Sequence, residues 1–272
     1  MLQAQVKLSF NPDKGATYSY LFKMEQTGKQ TVNGQEIPLN TSMDMLCAMT
    51  VKEKSSTEVS LDYVYKELTM SVVMPMMSIN YDSKKPVDDL EEPEKLIAQI
   101  LGSLIGKTLN TVFAPDGSVK SISGWQEILA DIQKSLPQMA QQMSPMLLQS
   151  FNDEAMKKMF EQSFNFYPQK AVKAGDSWTG NFSLAIAGIS SDSKNTYTLK
   201  SIKNNTAVID VVSVASGDLA GNATGETTLD IKTGMPTSSV STQTIKNGKL
   251  NMQGVEITMD TETKSSMILQ KQ

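Results

Sequence analysis

The sequence contains no arginine, no histidine and a single cysteine, Cys47. Without histidine, the Ser-His-Asp and Cys-His catalytic arrangements and the common histidine-containing zinc sites are excluded. Without arginine, no side chain can bind phosphate or carboxylate in the bidentate way, and none can make the arginine contact to guanine. One cysteine excludes an internal disulfide and a four-cysteine metal site. These absences favour a binding module over an enzyme.

Charge and long hydrophobic runs are also scarce. The 272 residues carry 25 lysines and 29 acidic residues, a net charge of −4, and no basic run, which argues against a nucleic-acid partner. The longest apolar candidate, 96–105, is interrupted by Gln99, Gly102 and Ser103. It is shorter than the roughly 18–20 residues that a membrane helix needs. We therefore expect no nucleic acid, no transmembrane segment and no cofactor.

The first residues contain neither a charged region nor an apolar stretch of the kind that makes an intact signal peptide. Leu2-Gln3-Ala4 followed by Gln5 nevertheless resembles the small-residue end of a cleaved signal. We therefore hypothesise an exported protein of the periplasm or cell envelope, with Met1 standing in place of a removed leader. An ordinary N-terminus is the alternative.

Hydrophobic periodicity divides the chain into three zones. In residues 6–81 apolar and polar residues alternate, which is typical of strands with one buried face. Residues 86–166 are mainly helical, with a stripe over 96–105, a β-hairpin near 107–122, and a further helix beginning at Ser123. Residues 173–270 alternate again, most clearly over 255–269, a length that indicates a strongly curved sheet. One domain spanning 1–272 is expected.

The two β zones are similar to each other. Three stretches match in the same order: 14–20 with 173–179, 50–62 with 199–210, and 107–111 with 227–231. This order indicates a duplicated antiparallel module, with chance similarity among turn-rich strands as the alternative. The predicted fold is α+β: a curved antiparallel sheet or open half-barrel, built from two similar β modules. Three or four helices, inserted between the modules, pack on its concave face.

Four motifs carry a resemblance to a known group of proteins. They are Lys14-Gly-x-x-Tyr18-x-Tyr20, Tyr81-Asp-Ser-Lys84, Pro115-Asp-Gly117 and Tyr167-Pro-x-Lys-x-Val-Lys-x-Gly-Asp-Ser-Trp178. Together they resemble an uncharacterised family of exported bacterial proteins, many of them lipoproteins. The order of strands and helices is also similar to the carriers of the lipoprotein-localisation type. That resemblance implies an incomplete barrel around a hydrophobic cavity closed by helices. Some of those carriers use an arginine, which this chain lacks.

Methionine is abundant, with 18 residues. Its flexible, polarisable side chain suits surfaces that adapt to more than one apolar shape. We therefore predict a methionine-lined cavity for a lipid or an acyl chain; ordinary core filling and Cu(I) binding are the alternatives. The predicted lining consists of strand and helix residues on apolar faces: Met43, Met45, Met74, Leu101, Leu104, Met139, Met143 and Met146.

Two motifs superficially suggest an enzyme. Ser191-Asp-Ser-Lys194 and Lys232-Thr-Gly234 match the motifs of penicillin-recognising enzymes. That chemistry needs its serine at the start of a helix, whereas Ser191 is predicted to lie in a polar hairpin. We therefore expect no catalytic residue.

The other candidate residues have simpler explanations. The acidic cluster at 88–92 is explained by helix capping and a solvated loop more simply than by a calcium site or paired catalytic carboxylates. Cys47 is expected to be buried and inert among apolar side chains. Trp125 and Trp178 are expected to anchor the core. We expect no metal site.

The leading hypothesis from the sequence is a non-enzymatic, exported envelope protein. It would bind a hydrophobic ligand, or a lipidated protein partner, in a cavity between the sheet and the helices. The alternative is a structural or interaction module with a filled core and no small-molecule ligand. An enzyme ranks third.

Overall fold

The computed structural model describes residues 5–75, 77–86, 90, 94–135, 152–164, 166–186, 189–252 and 255–270. This part of the chain contains twelve strands and three helices. The strands of the first half are β1 (Thr17–Val32), β2 (Gln35–Lys54), β3 (Val59–Met74), β4 (Met77–Asp82), β5 (Thr108–Phe113) and β6 (Val119–Ser123). Those of the second half are β7 (Ser177–Ile186), β8 (Ile189–Lys203), β9 (Thr206–Gly217), β10 (Gly221–Asp230), β11 (Pro236–Met252) and β12 (Val255–Gln270). The helices are α1 (Glu94–Gly102), α2 (Trp125–Ser135) and α3 (Asp153–Phe164).

All twelve strands belong to one antiparallel sheet. Its order is β6-β5-β3-β2-β1-β12-β11-β10-β9-β8-β7, and β4 pairs with the second half of β3 beside β5. The central pair is β1 with β12, so that the first and last strands of the chain join the two halves. The antiparallel sheet with helices confirms the predicted fold class in its broad form, and β12 confirms the strand expected over 255–269.

The sheet is strongly curled and open. Its two edge strands, β6 and β7, both contact α3. In a flat sheet these edges would stand ten strand spacings apart, about 48 Å, whereas a helix is only about 10 Å across. The sheet therefore wraps around until one helix spans the space between its edges. The backbone amide of Val119 on β6 donates to Oε1 of Glu161 on α3 at 3.3 Å, which caps part of that edge.

The main hydrophobic core fills one end of the curled sheet. Inward-facing strand residues such as Tyr20 and Leu199 meet Ile128 of α2 and Phe160 of α3 in one buried cluster. The N-terminal segment enters this core, because Phe10 is 1% exposed. Its ring packs against Phe113, Phe164 and Tyr167, with centroids 4.9, 5.5 and 6.5 Å away.

Two predicted helix boundaries are wrong, and within the first β zone residues 8–10 are drawn into the core before β1 begins at Thr17. Helix α1 ends at Gly102, so Ile105 lies beyond it and bridges to Tyr65 of β3. Ser123 closes β6 and therefore lies before α2 as a strand residue.

The hairpin predicted near 107–122 is confirmed as β5–β6, which lies between α1 and α2 in the chain and extends the sheet through β3. Ser191 differs from the prediction, because it lies inside strand β8, paired with Leu184 of β7, and not in a hairpin turn.

The beginnings of β1 and β7 make the same backbone contacts. The Gly15 amide donates to the Val51 carbonyl at 2.9 Å, and the Gly175 amide donates to the Leu199 carbonyl at 2.7 Å. In each half this contact joins the turn before the first strand to the end of the second strand. A duplicated module stays a prediction.

Candidate ligand-binding cavity

Alternate residues of every strand form an inner and an outer face of the sheet. Inward-facing residues of five neighbouring strands, β11, β12, β1, β2 and β3, stand side by side in register: Ser241, Ser265, Met24, Met43 and Met70. We call this line the central row. It changes from hydroxyl to thioether side chains between Ser265 and Met24. The inner face therefore has a hydroxyl side on β11 and β12 and a methionine side on β1 to β3.

A cavity of about 560 Å³ lies over this inner face, next to the end of α3. Its volume is within the range of about 300–1,000 Å³ found for small-molecule sites. Apolar and aromatic side chains form one group of its lining: Phe22, Met24, Met43, Met45, Phe166, Phe182, Tyr197, Ile209, Val211 and Met267. Hydroxyl side chains form the other: Ser191, Ser193, Ser213, Thr227, Ser239, Ser241 and Ser265.

The charged residues of the strands that surround the cavity lie on the outer face. Within the described residues, no inward-facing position of β1, β9, β10 or β12 holds Asp, Glu or Lys, according to the strand register. Lys23 and Glu226 border the cavity, but both occupy outward positions. There Lys23 pairs with the carboxylate of Asp44, and Glu226 lies 2.7 Å from Nζ of Lys200. Their charges are therefore already neutralised outside the cavity.

Two predicted lining residues, Met43 and Met45, line this cavity. Both also pack against a second buried cluster, formed by Leu68, Tyr81 and Ala98 between β3, β4 and α1. Leu101 packs against the same cluster from α1 and so lies near these two methionines.

The other predicted lining residues are placed elsewhere. Leu104 packs against the main core, because it follows the end of α1. Met74 lies at the far end of β3, where Nε2 of Gln30 donates to its sulfur at 3.6 Å. The three helical candidates, Met139, Met143 and Met146, lie outside the described residues.

Below the cavity the core is uncharged. Cys47 is fully buried, as predicted, and burial raises the pKa of its thiol to about 11. Burial raises the pKa of Tyr65 to about 12 and that of Tyr63 well above its usual value. These groups are therefore neutral at physiological pH. Trp125 is buried in the same core, and Nε1 of Trp178 donates to the Phe166 carbonyl at 2.8 Å.

A second depression, of about 630 Å³, is lined mostly by outward-facing residues of the sheet, together with Ser241 and Ser265. Its lining includes four charged residues, Lys23, Glu25, Glu226 and Lys264. Charged side chains at such an exposed position interact strongly with water, which makes this depression unsuitable for an apolar ligand. We therefore take the inner cavity as the candidate site.

Several lining residues were missed as site candidates in the sequence. Phe22 and Met267 face each other across the β1–β12 pair, and the lining residues with hydroxyl side chains come from β12 and from four further strands, β8 to β11. The alternation of 255–269 placed Ser265 and Met267 on one face, and that was the available signal. Which strand they pair with could not be inferred from alternation.

Across the part of the chain that the structure describes, no group of three or more Cys, Asp or Glu side chains is arranged to hold a metal ion. Among the three described helices, none is long and apolar enough to cross a membrane.

Among solved structures, the chain is similar to lipovitellin, in a structure reported for its lipid–protein interactions. The TM-score is 0.50 at 11% identity, over 96% of this chain and 25% of lipovitellin. The chain thus spans about a quarter of lipovitellin, and the likeness concerns the fold alone. The COG4313 outer membrane channel from Pseudomonas putida F1 aligns over 95% of this chain and 96% of its own, at 8% identity and a TM-score of 0.31.

No curated protein matches the sequence. A family model matches residues 56–253, which is well over half of the chain. The chain therefore belongs to the Family of unknown function (DUF6263).

Proposed function

We propose that this protein is a non-enzymatic carrier that binds a hydrophobic ligand in the inner cavity. The ligand would be a lipid or an acyl chain, either free or attached to a protein partner. The observation that carries the proposal is the uncharged inner face, on which methionines of adjacent strands border a cavity of about 560 Å³. Burial of an acyl chain there would contribute about 0.8 kcal/mol for each methylene group.

The methionine side supports this proposal through its adaptability. Met24, Met43 and Met45 line the cavity from two adjacent strands, and each is only partly buried. Flexible thioether side chains can repack around chains of different shape, whereas a filled core would bury them completely. Leu101, Leu104, Met74 and the helical methionines Met139, Met143 and Met146 stay in the proposal as residues that could extend the lining.

One comparison is consistent with a lipid ligand, and the composition is consistent with a non-enzymatic role. Lipovitellin, whose structure was reported for its lipid–protein interactions, shares the fold over most of this chain. The absence of histidine and arginine from the sequence limits the available catalytic chemistry. We also propose export to the periplasm or cell envelope, as the resemblance of the four sequence motifs to exported bacterial proteins implies.

The proposal includes the two-module architecture. Beside the matching backbone contacts, a side-chain contact also recurs: Oγ1 of Thr17 lies 3.0 Å from Oγ1 of Thr50, and Oγ of Ser177 lies 2.9 Å from Oγ1 of Thr198. Two similar modules joined through β1 and β12 would each supply one wall of the cavity.

An interaction module is the second candidate. The outer face of the second half exposes apolar side chains, with Val212 50%, Val214 57% and Val240 53% exposed. Such residues can form part of a protein interface. In that case the inner cavity would hold only water, and a partner would cover the outer face.

Native mass spectrometry of the protein, purified from its host without detergent, tests the proposal. We expect lipid adducts on the wild-type protein and on Ser42→Asp, which places a charge on the outer face. We expect their loss in Met43→Asp, because that neighbouring residue faces the cavity and an unpaired buried charge opposes an apolar ligand. Equal thermal unfolding midpoints would show that both variants are folded. Absence of adducts from the wild type, together with no binding of added acyl probes, would contradict the carrier function.

A further inference from the structure

Hydroxyl side chains of the inner cavity lie between two groups of apolar side chains. Along the central row, Ser241 and Ser265 precede Met24 and Met43. The adjacent row has the same order, with Thr227 and Ser239 followed by Met267 and then Phe22 and Met45. The change from hydroxyl to apolar side chains therefore falls between β12 and β1 in the central row and between β11 and β12 in the adjacent row. On the other side of the hydroxyls, Ile209 and Val211 of β9 are again apolar. A ligand that crosses the strands would meet both kinds of side chain.

The hydroxyl side offers hydrogen-bonding groups that the protein itself leaves available. Oγ1 of Thr227 and Oγ of Ser239 are 2.9 Å apart and engage each other. Within the described residues, no side-chain hydrogen bond engages Ser241 or Ser265. Each hydroxyl is one donor and can accept twice, so Ser241 and Ser265 can bind an ester, amide or hydroxyl group of a ligand.

The described inward-facing residues of the cavity offer no partner for a charge, and Lys23 and Glu226, which border it, are each engaged in an ion pair on the outer face. The cavity's inward-facing residues on β1, β9, β10 and β12 are uncharged, within the described part of the chain. The nearest lysine on β1, Lys23, points outward and is paired with Asp44. A phosphate or carboxylate in the cavity would lose water without gaining a cation, which strongly opposes binding.

We infer that the ligand is an uncharged acyl lipid, held with its chain on the methionine side and its ester, amide or hydroxyl head on the hydroxyl side. This inference rests on the proposed carrier function. It adds the class of ligand and its orientation. Ser265 and Met24, which pair directly across β12 and β1, mark the junction between head and chain.

Three probes with the same twelve-carbon chain test the head-group selectivity: monolauroylglycerol, laurate and lauroyl lysophosphatidic acid. Each is titrated by calorimetry into the full chain at pH 7, below its micelle concentration. We expect monolauroylglycerol to bind at least about tenfold more tightly than either anion, since each anion would be buried without a counter-ion. Equal or tighter binding of an anion would overturn the inference and leave the carrier function standing. Binding of none of the three would instead contradict the carrier function.

Matched serine variants test the orientation. In Ser241→Ala with Ser265→Ala, the affinity for monolauroylglycerol should fall about three- to tenfold, the effect of one or two lost hydrogen bonds. Ser238→Ala is the control, because Ser238 pairs with Ile268 on the outer face and should leave the affinity unchanged. Thermal unfolding of each variant confirms that it is folded. An unchanged affinity in the folded double variant would overturn the head-group placement.

Discussion

The hydroxyl group of Tyr20 on β1 donates a hydrogen bond to the carbonyl oxygen of Pro236, where β11 begins, at 3.0 Å. Tyr20 is completely buried, and burial raises the pKa of its phenol well above the usual value, so the hydroxyl remains a donor. The bond passes over the inner face of β12, which lies between β1 and β11 in the sheet. It therefore holds the curl of the sheet at the end that the main core fills.

We expect Tyr20→Phe to lower the free energy of unfolding by about 1–3 kcal/mol, because the buried Pro236 carbonyl loses this donor. The midpoint of thermal unfolding should fall by roughly 2–4 °C for each kcal/mol. Tyr18→Phe is the matched control on the same face. Its hydroxyl accepts from the exposed Asp13 amide at 3.3 Å, and water can replace it there. Equal losses in the two variants would mean that the buried bond has no special role.

Gly234 and Gly15 both have positive φ, +70° and +79°, yet they should tolerate alanine very differently. A Cβ on Gly234 would lie 1.9 Å from the Ser9 carbonyl oxygen, whereas a Cβ on Gly15 would meet nothing within 4 Å. Gly15→Ala should therefore lower the free energy of unfolding by about 1–2 kcal/mol, the conformational penalty alone.

Gly234→Ala should lower the free energy of unfolding by at least twice as much as Gly15→Ala, because the segment that carries Phe10 into the core must move. Urea unfolding of both variants measures the difference. Similar losses would show that the N-terminal segment can shift without disturbing the core.

The faces of the strands could be predicted from the sequence, whereas the strand partners could not. Alternation over β2 correctly placed Met43, Met45 and Cys47 on one buried face. The pairing of Met24 with Ser265 joins residues more than two hundred positions apart, and local periodicity contains no information about it. Met43 and Met45 were therefore named as lining residues from the sequence, whereas Met24 and the hydroxyl side were missed.

The helical zone shows a second limit. The apolar stripe over 96–105 predicted one helix, but Gly102 ends it and Ile105 turns to β3. Leu104 consequently joins the main core, although its helical spacing matched that of Leu101. Tertiary contacts overrode the local pattern, as they also did for Phe10.

Cys47 should be unreactive in the folded protein. It is fully buried, and burial raises the pKa of its thiol from 9.0 to about 11, so little thiolate forms at pH 8. We expect no reaction with Ellman's reagent at pH 8 until urea unfolds the chain. Rapid labelling of the native protein would contradict the burial.

The same pKa shift predicts a dependence of stability on pH. The folded thiol keeps its proton up to about pH 11, whereas the unfolded thiol loses it near pH 9.0. Ionisation therefore favours the unfolded state as pH rises between these values, and the free energy of unfolding should fall. Cys47→Ala should make this decline shallower. Urea unfolding of both proteins at pH 8, 9, 10 and 11 gives the two slopes to compare, and identical slopes would exclude Cys47 as a contributor.

Replacement of the methionine side by leucine separates an adaptable binding surface from ordinary core filling. Met24, Met43 and Met45 are partly buried and line the inner cavity, whereas Met235 is 1% exposed in the main core. Leucine has nearly the same volume and fewer rotatable bonds, so such exchanges usually lower the free energy of unfolding by less than about 1.5 kcal/mol.

The triple Met→Leu variant should stay folded and should still bind monoacylglycerols of one chain length tightly. It should bind shorter and longer monoacylglycerols, from ten to eighteen carbons, less well than the wild type does. Met235→Leu should leave the whole series unchanged. If the triple variant binds every chain length as the wild type does, these methionines only fill space, and the adaptability argument is wrong.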